Sequence, residues 1–204
     1  VNIGGISNFS FLIGKKIVMA SDIGPGNKLI DELCSLTWQN DFDLDGKKAS
    51  KGEVIPELIR RWQKKLFNRD KFPISYDNSF FKLQEFIKKV DFERNFNNFD
   101  LLRSLTYFSA LIIYNAQKKI KNDVDKWIFC GGGVSNKTLM KDLEDFFGSD
   151  KISVTQDYGL DPFFVESEAF AFISVRTLRN LPSSFPQTTG CSKSSVSGKI
   201  YKVI

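Results

Sequence analysis

Apolar and polar residues alternate with strand periodicity at the start of the chain and shift to helical spacing after residue 26. Val1 to Gly4 reads as a strand and Gly5-Ile6-Ser7 as a turn. Asn8 to Ile13 sets Phe9, Phe11 and Ile13 against Ser10; Gly14-Lys15 is a tight turn; Lys16 to Asp22 is a third strand. Residues 1–24 therefore predict an antiparallel meander. Beyond Gly26, Leu29, Ile30, Leu33 and Leu36 share one helical face, with Asn27 placed to cap it. Residues 40–50 are polar and predict a loop. Ser50 and Glu53 have capping-box spacing for a helix reaching Leu66. Residues 68–75 hold Pro73 and predict a loop, and Phe80 to Val90 a short amphipathic helix.

The longest predicted helix runs from Asp100 to about Lys121, with Leu101, Leu105, Phe108, Ile112 and Ala116 on its buried stripe. Lys118, Lys119 and Lys121 at its end complement the helix dipole. The pattern then becomes strand (Trp127 to Cys130), helix (Asn136 to Phe147), strand (Lys151 to Thr155) and a helix from Pro162 to Arg179, ended by Leu181-Pro182. Residues 183–198 are rich in Ser, Thr and Gly and predict loop, and Lys199 to Ile204 a terminal strand.

Of the 204 residues, 42 % are hydrophobic and 26 % charged, enough apolar mass for a core in an ordinary globular domain. The net charge is +5, but the basic residues lie beside acids at helical spacing, as Arg60, Arg61, Lys64 and Lys65 do, without the aromatic-interleaved stripe that nucleic acid requires. The three cysteines, Cys34, Cys130 and Cys191, have no zinc or disulfide spacing, which fits a reducing compartment such as the cytoplasm. No apolar run reaches membrane-spanning length and no secretory signal is visible. Without histidine, Cys130 has no obvious base to make it a nucleophile.

Candidate chemistry concentrates in three glycine clusters, each at the end of an apolar strand-like run: Asn2-Ile3-Gly4-Gly5-Ile6-Ser7-Asn8, Asp22-Ile23-Gly24-Pro25-Gly26-Asn27 and Cys130-Gly131-Gly132-Gly133-Val134-Ser135-Asn136. Glycine lets main-chain N–H groups approach a phosphate without an intervening Cβ. Read singly, the first cluster is better explained as an ordinary glycine hairpin. The second is equally a strand-to-helix turn in which Asp22 binds only backbone. Three consecutive glycines in the third exceed what a tight strand-to-helix turn needs. Glu166 lies on an otherwise apolar helical face, where a carboxylate must pair or bind something.

Together with Val165 to Leu178 (VESEAFAFISVRTL), Leu181-Pro182 and Thr188-Thr189-Gly190, these clusters resemble the anhydro-N-acetylmuramic acid kinase family over nearly the whole chain. The resemblance implies an α/β fold: a ribonuclease-H-like (actin-like ATPase) lobe whose mixed sheet carries an antiparallel meander followed by parallel strands, with helices on both faces. It implies that residues 1–204 are the second, C-terminal lobe of a two-lobe kinase, with a mostly helical insertion at about 40–98 and an extended tail at about 183–204. The N-terminal half, with its phosphate loop and the catalytic base, would lie upstream. Asn2, Gly4, Gly5, Ser7 and Asn8 would then bind phosphate, and Gly131, Gly132, Gly133 and Asn136 adenosine. Asp22, Gly24, Pro25, Asn27 and Glu166 would line the sugar side of the cleft. The implied reaction uses ATP with Mg²⁺: water opens the 1,6-anhydro ring of anhydro-N-acetylmuramic acid as the freed 6-hydroxyl is phosphorylated, giving N-acetylmuramic acid 6-phosphate in cell-wall recycling.

Two positions depart from the family pattern: Ile74 stands where a lysine is usual, and Phe163 near where an acid is common. The expectation is a piece of a larger enzyme, inactive alone, with an apolar docking face that could also drive homodimer formation. The rival reading is a stand-alone lobe that binds nucleotide or sugar without catalysis.

Overall fold

The computed structural model describes residues 1–66, 72–93, 96–120 and 122–201. It is a mixed α/β structure. Strands β1 (Asn2–Ile3), β2 (Ile6–Ile13) and β3 (Lys16–Pro25) form the expected antiparallel meander, while β4 (Trp127–Phe129) and β5 (Ile152–Val154) pair in parallel. The first turn is Gly4-Gly5, so Ile6 and Ser7 belong to β2 and not to the turn.

The two sheets meet along β1 and β4. Val1 N donates to Ile128 O (2.7 Å), Cys130 N to Val1 O (2.9 Å) and Ile3 N to Cys130 O (2.8 Å), with a parallel bridge between Asn2 and Cys130. The resulting strand order is β3-β2-β1-β4-β5.

Helix α1 (Lys28–Trp38) buries Leu29, Ile30 and Leu33 but leaves Leu36 in solvent. Its expected cap is absent, because the Asn27 side chain turns to Ile3 O (3.3 Å). The capping box at Ser50 and Glu53 does not form either. Helix α2 (Pro56–Leu66) starts later on its proline, and the N–H groups of Glu53 and Ile55 are taken by Asp100 Oδ1 (2.7 Å) and Ser104 Oγ (2.8 Å). The single helix expected over Phe80–Val90 is two short ones, α3 (Leu83–Phe86) and α4 (Lys89–Glu93).

Helix α5 (Asn98–Ala116) is the central packing element, and its predicted stripe from Leu101 to Ala116 is buried. Trp62 of α2 packs edge-on against Phe108, and Arg103 holds buried Asp142 of α6 (Lys137–Phe147) through two bonds of 2.6 Å. Asn136 caps α6 as expected, accepting from Leu139 N at 3.0 Å.

Helix α7 (Val165–Leu178) buries none of its residues: Phe170 is 63 % and Leu178 70 % exposed. The tail carries a short helix α8 (Pro186–Thr189) and a bridge between Ser184 and Ser195. Residues 199–201 have no regular structure where a strand was expected, and 202–204 lie outside the described residues, as does Lys121. No helix among the described residues is long and apolar enough to cross a membrane.

Candidate functional site

β1 and β4 are adjacent and parallel, so the chain leaves both at the same edge of the sheet: β1 into Gly4-Gly5 and β4 into Gly131–Gly133. The second glycine cluster closes on the first. Gly26 N and Lys28 N donate to Gly5 O (2.9 and 3.2 Å), and Asn27 N donates to Gly4 O (2.8 Å). Gly131 N donates to Pro162 O (2.8 Å), which draws in the approach to α7. All three clusters thus form one corner. Of the N–H groups of α1, these bonds take only that of Lys28, the first residue of the helix.

The glycines fall into two groups. A Cβ on Gly26 would lie 2.3 Å from Gly4 O; on Gly131 (φ +85°), 2.2 Å from Asn2 Oδ1; on Gly133, 2.2 Å from Ile3 Cγ2; on Gly24, 3.0 Å from Ile112 Cγ2. Internal packing alone demands glycine at the first three, while at Gly24 the Ile112 side chain would have to give by a few tenths of an ångström. Gly4, Gly5 and Gly132 differ: their backbone angles lie outside the left-handed range, and a Cβ would meet nothing closer than 3.5, 3.9 and 3.9 Å respectively. The atom nearest to a Cβ on Gly132 is Asn27 Nδ2. The fold has no need of glycine at these three positions, and together they present bare backbone at the corner.

A polar row leads away from this corner. Asn2 pairs with Asn8 and Asn8 with Asp22, and directly opposed residues share a face of the sheet. All three are half-buried. The other face holds Ile3, Ser7 and Gly24 and is covered by α5, through Ile112 against Gly24 and a Ser109 hydroxyl donating to Gly26 O (2.8 Å). Asp22 owes its place to a β-bulge: the pairing steps from Ser7–Gly24 to Asn8–Asp22, passing over Ile23. Regular pairing would have put Ile23 opposite Asn8 and Asp22 on the other face. Asp22 Oδ2 accepts from Tyr76 N (2.7 Å), while Oδ1 accepts no hydrogen bond among the described residues.

Other expected site residues lie elsewhere. Ser7, Gly24, Pro25, Gly133 and Asn136 are buried and brace the turns internally. Ser7 Oγ has no hydrogen-bond partner among the described residues. Glu166 is exposed on the first turn of α7, so the desolvation argument for a bound partner does not hold there. Burial pushes the Cys130 thiol up, which keeps it a thiol, as expected. Among the described residues no group of three or more acidic, His or Cys side chains could hold a metal ion.

One supporting loop was missed in the sequence. Asp43 accepts from Lys48 N (2.8 Å) and Ala49 N (2.9 Å), and a Cβ on Gly46 would sit 2.2 Å from Asn136 Oδ1. Thr138 Oγ1 donates to Gly46 O (2.8 Å), and Gly52 abuts Phe99 O. The spacing Gly46, Ala49, Gly52 was the available signal: small residues recurring in a polar stretch mark backbone packed on backbone.

The model of the family described as anhydro-N-acetylmuramic acid kinase matches residues 1–203. The chain belongs to this family. It is 34 % identical over 203 residues to the anhydro-N-acetylmuramic acid kinase of Neisseria meningitidis serogroup B (strain MC58), covering 98 % of this chain and 54 % of that protein. It is 31 % identical over 202 residues to the one from Vibrio vulnificus (strain CMCP6), with the same two coverages. The chain therefore spans about half the length of the curated relatives it matches.

Proposed function

We propose that the chain is the C-terminal lobe of an ATP-dependent kinase that opens and phosphorylates 1,6-anhydro-N-acetylmuramic acid. The observation that carries this is the bare backbone at Gly4, Gly5 and Gly132, three glycines that no internal contact requires, converging at the ends of neighbouring strands. Unencumbered main-chain N–H groups suit phosphate oxygens, and an open flat backbone suits a purine or ribose. The strand order β3-β2-β1-β4-β5, with helical segments between β3 and β4, supports the reading as a ribonuclease-H-like lobe with an insertion.

On this reading the nucleotide lies along the glycine corner and the sugar along the Asn2–Asn8–Asp22 row. Ring opening needs a base to take a proton from water as it attacks the anomeric carbon. Asp22 meets the geometric demand: one oxygen fixed by the Tyr76 N–H, the other open. We assign it the role first expected of a residue upstream. Mg²⁺ in such sites rides on phosphate oxygens and water with one or two carboxylates, and neutralises charge on the transferred group. The rest of the family's length is then required for turnover, and exposed α7 is the surface it would cover.

The test is Asp22→Asn in the full-length protein, which keeps an oxygen for the Tyr76 N–H. Turnover should fall about 10²–10⁴-fold with the KM for ATP little changed. Undiminished turnover would return the base to the upstream half.

A further inference from the structure

A cavity of about 500 Å³ lies between α2, α5 and the segment from Phe72 to Tyr76. That is within the range of small-molecule sites. Asp22, the glycine corner and the polar row do not line it. Its floor is apolar, built from Ile23, Leu66, Phe72 and Ile112. Gln63 and Asn115 supply amides; the Asn115 amide donates to Leu111 O (2.8 Å), which leaves its oxygen for the cavity.

The charged residues that line it are lysines at the ends of α2 and α5. Lys64 and Lys118 line the cavity, form no ion pair among the described residues, and are joined by Lys119; among the described residues no carboxylate lines it. The alternative explanation is that the lysines only offset the negative ends of α2 and α5, which terminate here. Two helix ends carry roughly half a charge each, so the two unpaired ammonium groups already outweigh them.

We propose that this cavity binds a small amphipathic anion, an apolar body ending in one anionic group. The apolar part replaces water against the aliphatic and aromatic floor, and the head group meets Lys64 and Lys118. Both lysines sit on helix ends with long flexible stems, so they can follow the head group without rearrangement of the backbone. The site does not depend on the kinase reading.

Calorimetric titration of the full-length protein with decanoate tests it directly and needs no turnover. One molecule of decanoate should bind per chain, and decyltrimethylammonium, with the same tail and the opposite charge, should not. The double variant K64E/K118E should weaken decanoate binding at least tenfold with an unchanged melting temperature. If that variant is poorly folded, K64M/K118M serves instead. Equal binding of the cationic probe, or decanoate binding unaltered in a folded double variant, would overturn the proposal and assign the tail to exposed apolar surface such as α7.

Discussion

At Gly132 an added methyl group would meet nothing closer than 3.9 Å, whereas at Gly133 it would lie 2.2 Å from Ile3 Cγ2. This separates two neighbours that look identical in the sequence. Gly133→Ala is expected to destabilise the fold by about 2 kcal/mol or more through overpacking. Gly132→Ala and Gly5→Ala are expected to leave the melting temperature nearly unchanged while raising the KM for ATP at least tenfold. Thermal melts and initial-rate kinetics on the full-length protein decide between them. Asp31 gives a separate prediction. Burial in α1 lifts its carboxyl to about 6, above the unfolded value, so the folded state binds this proton more tightly. Its stabilising contribution is complete below about pH 4 and is lost as pH rises through 6. Asp31→Asn should therefore add on the order of 1 kcal/mol at pH 7.5, allowing for solvent screening of a half-buried group, and nothing at pH 4. Urea midpoints at the two pH values measure it. Residue type alone could mark Gly131–Gly133 and Asp22 as candidates. It could not show which glycine faces outward, because that depends on Asn2 and Ile3 of β1, which lie 129 and 128 positions before Gly131 in the sequence.

Helices and strands were legible where local periodicity and burial agree. The stripe from Leu101 to Ala116 is one case, and the meander from Asn2 to Pro25 is another. Prediction failed where distant partners replaced local ones. Ser50 and Glu53 had the right spacing for a cap, yet Asp100 and Ser104 of α5 hold the segment extended until Pro56. The bulge that places Asp22 was likewise invisible, since strand alternation gives no hint of a skipped residue. Packing between helices also rests on pairs that the sequence did not reveal. Arg103 of α5 neutralises Asp142 of α6, whose carboxyl is still pushed up because burial outweighs the guanidinium. Arg103→Met should cost about 3 kcal/mol by leaving that acid buried and unpaired, and R103M/D142L should recover most of the loss. Urea denaturation of the three proteins would reveal the coupling.

Across the whole molecule, the most uneven feature is α7, apolar yet without a buried residue. Phe170, Phe172 and Leu178 are each more than 60 % exposed, a surface that soluble domains ordinarily cover. If the proposed upstream lobe covers this helix, a protein of the relatives' full length should bind a hydrophobic dye severalfold less than the 204-residue chain, measurable by fluorescence. A second molecular consequence lies in the join between β1 and β4. Three main-chain hydrogen bonds link the meander to the parallel pair there, immediately beside Gly4-Gly5 and Gly131. A triphosphate nucleoside touching both turns would act as a rivet across this joint. Its affinity would then be felt as mechanical cohesion of the sheet, and amide exchange at Ile3 and Cys130 should slow when a non-hydrolysable ATP analogue is added.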